Sequence, residues 1–307
     1  MTYSNYWRDY RVSNQRATLN DFGQLNSVWY LFPQGGGPRG AFETFSDLSP
    51  SLKNRDTIIL GGVLREQVTA PLYIHDVTII GAQNIARQAT SGGVPTGGGA
   101  TWMSPTAVNN ALPLLRLNSQ GWRLEDIYFN NAATGAPCVS LFRDAGSGVL
   151  ESDASHASIV NCKFTGGDDG IQDSGGCNHV SIVGCEFANF AAAGAIAMSA
   201  VVGAGQGTLQ NWQIIDNVYL NNVNHIIMGL TNANIYGNTF SWKGQTITTT
   251  LQISLTGGQH NSIWENKFGM LTTTAGMTTM FAVGTEDSWG PNHFANAVQY
   301  GSPLTTA

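Results

Sequence analysis

A six-residue pattern recurs along most of the chain and constrains the fold more than any other feature. The pattern is an aliphatic residue, two intervening residues, then Ile, Cys or Asn, one further residue, and Phe or Tyr. Repeats at intervals of a few tens of residues are typical of solenoid proteins, and the period-2 alternation within each copy predicts strands. The copies occupy residues 124–129, 159–164, 182–187, 214–219, 235–240 and 263–268, with a looser copy at 289–294.

The recurring positions predict what the interior of the solenoid contains. Stacked amides can hydrogen-bond to one another along the axis, so we expect a ladder of Asn217, Asn238 and Asn266. Cys162 and Cys185 occupy the Asn position of successive copies, and two interpretations remain open: small buried thiols, or a disulfide between strands about 4.8 Å apart. We expect the aromatic positions to stack as well: Phe164, Phe187, Phe240 and Phe268.

Composition disfavours several classes of function. Charged residues make up only 11% of the chain, and the formal net charge is -6 without a cluster of Lys or Arg, so we expect no nucleic-acid partner. No apolar run reaches the length of a membrane span, and the first residues do not resemble a signal peptide, so we expect neither membrane insertion nor signal-directed export. The four cysteines lack the paired spacing of a zinc ribbon, and we expect no cofactor.

The chain divides into an N-terminal arm, residues 1–40, and a solenoid, residues 41–307, with loop excursions. The arm is rich in Tyr and Trp, which are common at protein interfaces. Residues 41–52 predict a short amphipathic helix with three apolar residues on one face: Phe42, Phe45 and Leu48. We predict loops that leave the stacked strands, here called excursions, at 84–113, 143–156, 199–211 and 270–280. These stretches are rich in Gly, Thr, Ala or Pro, or they interrupt the spacing of the rungs.

These features resemble the right-handed parallel β-helix of the pectate-lyase-like superfamily. The resemblance is carried by the strand-rich opening at residues 56–81 and by the repeated pattern, and it covers residues 41–300. The predicted helix matches the amphipathic helix that commonly caps the first rung of such proteins. The superfamily includes pectate and pectin lyases, polygalacturonases, phage tailspikes and non-catalytic virion proteins. The resemblance therefore implies an all-β solenoid and leaves the activity open.

A narrower resemblance is to the β-helical structural proteins of tailed bacteriophages, and it is carried by residues 29–40, 61–68 and 153–157. It implies a non-enzymatic virion protein, either a capsid decoration protein or part of a tail adhesin. We expect a homotrimer that contacts other virion proteins through the arm, located in the extracellular particle. Two alternatives remain: a tailspike-like depolymerase that cleaves polysaccharide by hydrolysis or elimination, and a module that binds a surface glycan without turnover.

The candidate catalytic residues follow one copy of the pattern. Asp168 and Asp169, with Asp173 close behind, resemble the Gly-Asp-Asp step of polygalacturonases, where paired carboxylates act as acid and base. The other steps of that family's pattern are missing, including its Asn-Thr-Asp and Gly-His-Gly sequences. Strand alternation also places Asp168 and Asp169 on opposite faces unless the chain bends between them. The alternative interpretation is a polar turn in which these carboxylates bond to backbone N–H groups.

Two further residues are candidates for substrate binding: Arg143 and His156. A pectate lyase would use a nearby Arg as base, and Arg143 is the obvious candidate. We assign no metal ligand, although a cluster of oxygen ligands for Ca²⁺ is an alternative. That cluster would contain Glu151, Asp153, His156, Asp168, Asp169 and Asp173.

Overall fold

The chain folds as a right-handed parallel β-helix, which confirms the predicted fold class. Within the described residues, the strands form three long parallel sheets of ten, nine and eight strands and two small two-stranded pairs. The computed structural model describes residues 26–33, 37–82, 90–91, 94–95, 99–143, 152–190, 194–198, 209–220, 222, 225–241, 253–255, 257–268, 281–282 and 285–294. No helix in these ranges is long and apolar enough to cross a membrane.

Each full turn of the helix takes one strand from each sheet in the same order. The first sheet consists of Val28–Leu31, Thr57–Leu60, Thr78–Gly81, Arg123–Glu125, Ser158–Val160, Ser181–Val183, Gln213–Ile215, Asn234–Tyr236, Ser262–Trp264 and Ser288–Trp289. The second consists of Val63–Arg65, Thr101–Met103, Tyr128–Asn131, Lys163–Gly166, Glu186–Ala188, Val218–Leu220, Thr239–Ser241, Lys267–Phe268 and His293–Phe294. The third consists of Val68–Thr69, Leu115–Leu117, Val139–Phe142, Asp169–Ser174, Gly194–Met198, Ile226–Ile227, Ile253–Ser254 and Phe281–Ala282.

Two small strand pairs lie outside these sheets. Leu209–Gln210 pairs in parallel with Leu230–Thr231, and Thr90–Ser91 pairs antiparallel with Val94–Pro95. Neighbouring strands of a sheet are about 4.8 Å apart, so the ten strands of the first sheet extend about 43 Å along the axis. The rungs are stacked in register, and equivalent positions of the sequence pattern therefore lie directly above one another.

Aromatic rings form a continuous stack inside the second sheet, as predicted. Adjacent rings from Phe129 to Phe268 have centroids 4.7–5.2 Å apart and planes within 10° of parallel. Trp102 extends the stack by one rung, and the ring of Phe45 lies 5.7 Å from it. Offset stacking of this kind adds to the free energy gained from burial. The remaining members of the stack are Phe164, Phe187, Tyr219 and Phe240.

The predicted asparagine ladder is also present. The Oδ1 atom of each amide accepts hydrogen bonds from the rung before it, and the Nδ2 atom donates to an Ile carbonyl oxygen of that same preceding rung. The ladder consists of Asn217, Asn238, Asn266 and Asn292. Cys162 and Cys185 precede it as buried free thiols, and burial raises the pKa of Cys162 well above its usual value. The structure therefore has the buried thiols of the first interpretation rather than a disulfide.

The turn from the first sheet to the second is tight and has the same conformation in successive rungs. In the six complete copies of the pattern, the residue just before the ladder position has a positive φ of 51–68°. Asn, Asp and Gly adopt this left-handed conformation at the least cost, and they occupy most of these positions. The residues concerned are Asp126, Asn161, Gly184, Asp216, Gly237 and Glu265.

The N-terminal part of the solenoid begins earlier than the sequence suggested. Val28–Leu31, which we placed in the arm, pairs with Thr57–Leu60 and is the first strand of the first sheet. The indole N–H of Trp29 donates to Asp56 at 2.7 Å, which fixes this strand against the next rung. Residues 1–25 lie outside the described residues, so the arm remains a prediction.

The predicted amphipathic segment contains a short α-helix, α1 (Phe45–Leu48), followed by a 3-10 turn at Ser49–Ser51. Thr44 caps the N-terminus of α1 by accepting from the Asp47 N–H. The predicted excursion at 84–113 includes Thr101–Met103, which is a regular strand of the second sheet. Residues 144–151, 199–208 and 270–280 of the other excursions lie outside the described residues.

Candidate functional site

The candidate carboxylates lie at the turn where the chain passes from the second sheet to the third. Gly166 and Gly167 have φ of 72° and 76°, and a Cβ on Gly166 would overlap the carbonyl oxygen of Asn131. These two glycines therefore make the sharp turn possible. Asp168 follows them, and its N–H donates to the carbonyl oxygen of Ala136 at 3.2 Å. Asp169 begins the next strand of the third sheet.

Asp168 and Asp169 differ in their access to solvent, which agrees with the opposite faces that strand alternation predicts. Asp169 is only 2% exposed, whereas Asp168 is partly exposed. Oδ2 of Asp169 accepts a hydrogen bond from Gln172 at 3.3 Å. The carboxylate also lies near Cys138, where burial chiefly, and Asp169 to a lesser degree, raise the pKa of the thiol to about 12. The two adjacent carboxylates thus do not face one common substrate.

Asp173 stabilises the turn that ends the same strand. Its carboxylate accepts backbone N–H hydrogen bonds from Gly175 at 3.3 Å, Gly176 at 2.7 Å and Cys177 at 2.9 Å. Burial raises the pKa of Asp173, and the hydrogen bonds from the turn oppose that shift. The side chain has no exposed surface, so it does not meet solvent or a substrate. This arrangement matches the polar-turn interpretation.

Arg143 binds the same turn from the preceding rung. Its Nη1 atom donates to the carbonyl oxygen of Gly176 at 3.0 Å, and its Nε atom lies 4.0 Å from Oδ2 of Asp153. Asp153 in turn accepts from the N–H of Ser155 at 2.8 Å. Arg143, Asp153 and Asp173 therefore hold one turn between the third and first sheets, from both sides.

His156 is exposed in the turn just after Asp153, one rung before the turn held by Asp173, and its ring does not join this network. It has a φ of 63°, and its ring stacks on that of His179 with centroids 4.7 Å apart and planes 9° from parallel. The Nε2 atom of His179 is 3.1 Å from the side-chain amide of Asn211 in the following rung. The two histidines thus belong to a row of turn residues along one edge of the helix.

The candidate residues do not form the pair of carboxylates that glycoside hydrolysis needs. Such pairs are about 5–10 Å apart across a substrate. Asp169 and Asp173 are four residues apart on one strand, which places their Cα atoms about 13 Å apart. Both are buried, whereas Asp168 is partly exposed. Among the described residues no three His, Cys, Asp or Glu side chains are arranged to hold a metal ion, and Glu151 lies outside them.

Comparisons with known proteins define the fold. No protein-family model matches the sequence, and a search of curated proteins finds no match. Solved structures do match. Pectin methylesterase from Aspergillus niger is 13% identical with a TM-score of 0.51, over 92% of this chain and 90% of the esterase. PfbA, a surface adhesin of Streptococcus pneumoniae, is 13% identical with a TM-score of 0.52, over 89% of this chain and 80% of the adhesin.

A third similar structure is that of Escherichia coli ybhc, 9% identical with a TM-score of 0.51, over 87% of this chain and 84% of that protein. At such identities the likeness concerns the fold alone. The chain shares the parallel β-helix fold with these proteins, as the resemblance of its sequence implied. This fold supports several unrelated functions, so function has to be argued from the residues.

Proposed function

We propose that the chain is a non-enzymatic structural protein of a bacteriophage virion, serving as a capsid decoration protein or as a component of a tail adhesin. The observation that carries the proposal is the position of Asp173. The residue that completes the candidate acidic motif is fully buried and accepts three backbone N–H groups of one turn. A carboxylate used in this way stabilises a rung of the solenoid and has no access to a glycosidic bond.

The other candidate residues support the same interpretation. Arg143 is engaged with the carbonyl oxygen of Gly176, and Asp169 is buried inside the third sheet. The stacked aromatic rings and the asparagine ladder run through the interior and make the solenoid stiff. A stiff rod that carries loops and an arm suits a part of an extracellular particle. The fold is shared with a surface adhesin as well as with esterases, which is compatible with this role.

We further propose that the chain assembles as a homotrimer and contacts other virion proteins through its N-terminal arm. The support is the aromatic composition of residues 1–25, since Tyr and Trp are enriched where proteins meet. The assembly can be tested on the full chain by native mass spectrometry. A trimer is expected, and a monomer at micromolar concentration would contradict this part of the proposal.

The virion role is tested by locating the protein. Particles purified by density gradient are analysed by quantitative mass spectrometry and by immunogold labelling with an antibody against the full chain. We expect the chain in the intact particle at a fixed copy number relative to the major capsid protein. A chain found only in the soluble fraction of the lysate would exclude the proposed role.

The enzymatic alternative is tested separately with the purified chain. Neutral and acidic polysaccharides are assayed for new reducing ends and for the ultraviolet absorbance of unsaturated products. We expect neither signal. Cleavage that is lost in the Asp168→Asn, Asp169→Asn double variant would establish a depolymerase at this turn and overturn the non-enzymatic proposal.

The variant Asp173→Ala separates the two interpretations by stability. If the carboxylate holds the turn, its loss leaves three buried N–H groups without an acceptor and lowers the free energy of unfolding by about 2–4 kcal/mol. Asp168→Ala is the matched control, because Asp168 is partly exposed, and a change within about 0.5 kcal/mol is expected. Equal effects in both variants would contradict the structural role of Asp173.

A further inference from the structure

Two aromatic side chains stand exposed next to each other on the outer face of the first sheet. Tyr236 and Trp264 are register partners on adjacent strands and are 38% and 41% exposed. Their neighbours in the chain, Ile235 and Ile263, point into the core and are completely buried. The aromatic pair, Tyr236 and Trp264, therefore faces outward by strand alternation, away from the third sheet and its acidic turn.

The indole ring of Trp264 lies over Gly290 of the following rung. A Cβ built on Gly290 would overlap the ring atoms Cγ, Cδ2 and Cε3. Any residue with a Cβ atom at position 290 would displace the ring from this position. One side of the ring thus rests on the backbone of the next rung, and the residue as a whole is 41% exposed. An aromatic surface held in this way is preformed for a flat partner.

Tyr236 is held in place by the turn of the next rung. Its hydroxyl group donates to Oε2 of Glu265 at 2.7 Å. This hydrogen bond, with the nearby charges of Glu265 and then Asp216, raises the pKa of Tyr236. On the same outer face Asn234 donates to Gln213 at 3.4 Å. Carboxylate and amide groups therefore surround the aromatic pair on two sides.

The size of the exposed surface favours a small ligand over a second protein. An aromatic side chain carries about 150–250 Å² of surface, so the pair exposes roughly 150–200 Å². A stable interface needs about 800 Å² from each partner. The preceding residues of the same outward column, Val160, Val183 and Ile215, are only partly exposed. The exposed apolar area is thus concentrated on the pair, and it matches the face of a sugar ring.

The chemistry around the pair fits a sugar and restricts which sugar. The face of an aromatic ring is electronegative and attracts the C–H groups of a sugar, while a few polar groups fix its orientation. Glu265 and Asp216 can accept hydrogen bonds from hydroxyl groups, and both would repel a carboxylate. We propose that Tyr236 and Trp264 form a binding site for a neutral glycan, distinct from the acidic turn of the third sheet. This inference goes beyond the proposed virion role and does not depend on it.

The test is affinity electrophoresis of the full chain in gels that contain a neutral polysaccharide, with dextran, galactomannan and a β-glucan as probes and polygalacturonate as the acidic comparison. Retardation by at least one neutral probe is expected. Trp264→Ala is expected to weaken the binding about tenfold or more, since one stacked aromatic ring and its buried area are worth at least about 1.4 kcal/mol. Tyr30→Ala is the matched control: Tyr30 occupies the same outward column and is 38% exposed.

The variant Gly290→Ala tests the position of the ring without removing it. Gly290 has no positive φ, so alanine fits its backbone, and circular dichroism should show an unchanged fold. Lifting the indole from the sheet is expected to weaken glycan binding as Trp264→Ala does. Binding unchanged in both variants, the absence of binding to every neutral probe, or a preference for polygalacturonate would overturn the proposal. Self-association of the wild-type chain that is lost in Trp264→Ala would also overturn it, in favour of a protein interface.

Discussion

Asn217 donates two hydrogen bonds to a single atom of the next rung, Oδ1 of Asn238. The backbone N–H contributes one at 2.9 Å and the side-chain Nδ2 the other at 3.0 Å. Asn238 repeats both bonds to Asn266, so each amide is at once acceptor for one rung and donor to the next. All three are fully buried, and unmade hydrogen bonds are costly in such a position. The ladder therefore ties the stacking of one rung to that of its neighbours.

Asn238→Ala is expected to lower the free energy of unfolding by about 3 kcal/mol, because both donors of Asn217 and the carbonyl oxygen of Ile214 lose their partner. Urea denaturation followed by circular dichroism measures the change. Asn234→Ala in the same rung is the control. Asn234 is partly exposed and makes one long hydrogen bond, so a loss below about 0.5 kcal/mol is expected. Similar losses in the two variants would contradict the cooperative ladder.

The buried carboxyl group of Asp126 is expected to make the free energy of unfolding depend on pH. Burial, and then the charge of Glu125, raise its pKa to about 7, while Arg123 acts in the opposite direction. The folded state therefore binds this proton more tightly than the unfolded state, and the free energy of unfolding falls as pH rises from 4 to 7. Asp126→Asn removes the buried charge and keeps a residue suited to the positive φ of 57°.

The Asp126→Asn variant is expected to be more stable than the wild type at pH 8 by about 1–3 kcal/mol, and equal to it near pH 4. Asn161 already occupies the equivalent turn position in the next rung, with a φ of 51°. Urea denaturation at the two pH values is the measurement. Asp216→Asn, an exposed residue at the same turn position, should change little at either pH. A gain at pH 4 as large as that at pH 8 would refute the buried charge as the cause.

The buried imidazole of His225 is expected to make the folded protein less stable in acid. It is completely buried beside Tyr219 and Phe240, and burial lowers its pKa to about 3. The unfolded chain takes up this proton below pH 6.5 and the folded chain does not, so stability is lost as pH falls from 6.5 towards 3. The loss attributable to this residue is up to about 1.4 kcal/mol per pH unit.

Replacing His225 by Gln should make the loss of stability between pH 6.5 and 3 less steep. The measurement is the midpoint of urea unfolding at pH 7, 5.5 and 4.5. Carboxylates contribute to acid denaturation as well, so the slope of the variant is compared with that of the wild type. The exposed His260 provides the control, and His260→Gln should leave the slope unchanged. Parallel profiles for wild type and His225→Gln would contradict the prediction.

The interior of the solenoid could be predicted from sequence because one residue per rung repeats at each inward position. The stack of Phe164 and Phe187 and the ladder of Asn238 and Asn266 follow directly from that repetition. Trp102 was missed because the preceding residues do not match the pattern, although its ring occupies the same column. A strand is recognised poorly when a long excursion separates it from its predecessor.

The functional residues were less predictable, and for different physical reasons. Alternation predicts opposite faces for Asp168 and Asp169, and the different burial of the two residues agrees with it. The contact of Arg143 with Gly176 depends on how one turn folds against the next rung, which no local pattern specifies. The outward position of Tyr236 and Trp264 follows from alternation within the repeated pattern, so this signal was available. The fixed position of the Trp264 ring depends on Gly290 in the following rung, and this contact is known only from the alignment of the two strands in the structure.

Replacing tyrosine by phenylalanine is expected to change the free energy of unfolding in opposite directions at Tyr219 and Tyr128. Tyr219 lies in the aromatic stack between Phe187 and Phe240, and burial raises its pKa. No described residue lies within hydrogen-bond distance of its hydroxyl group, which is fully buried. Removing that group as Tyr219→Phe relieves its desolvation and should raise the free energy of unfolding by about 1 kcal/mol. Its neighbours in the stack, Phe187 and Phe240, are phenyl rings, so a phenyl ring at position 219 fits the column.

The hydroxyl group of Tyr128 is instead 2.8 Å from Oγ1 of Thr165, and Tyr128→Phe should lower the free energy of unfolding by about 1 kcal/mol. Urea denaturation of the two variants in parallel gives both values under the same conditions. A loss of stability in Tyr219→Phe would mean that its hydroxyl group has a hydrogen-bond partner after all. Gain in one variant and loss in the other would show that the stack tolerates a tyrosine at position 219 without depending on its polar group.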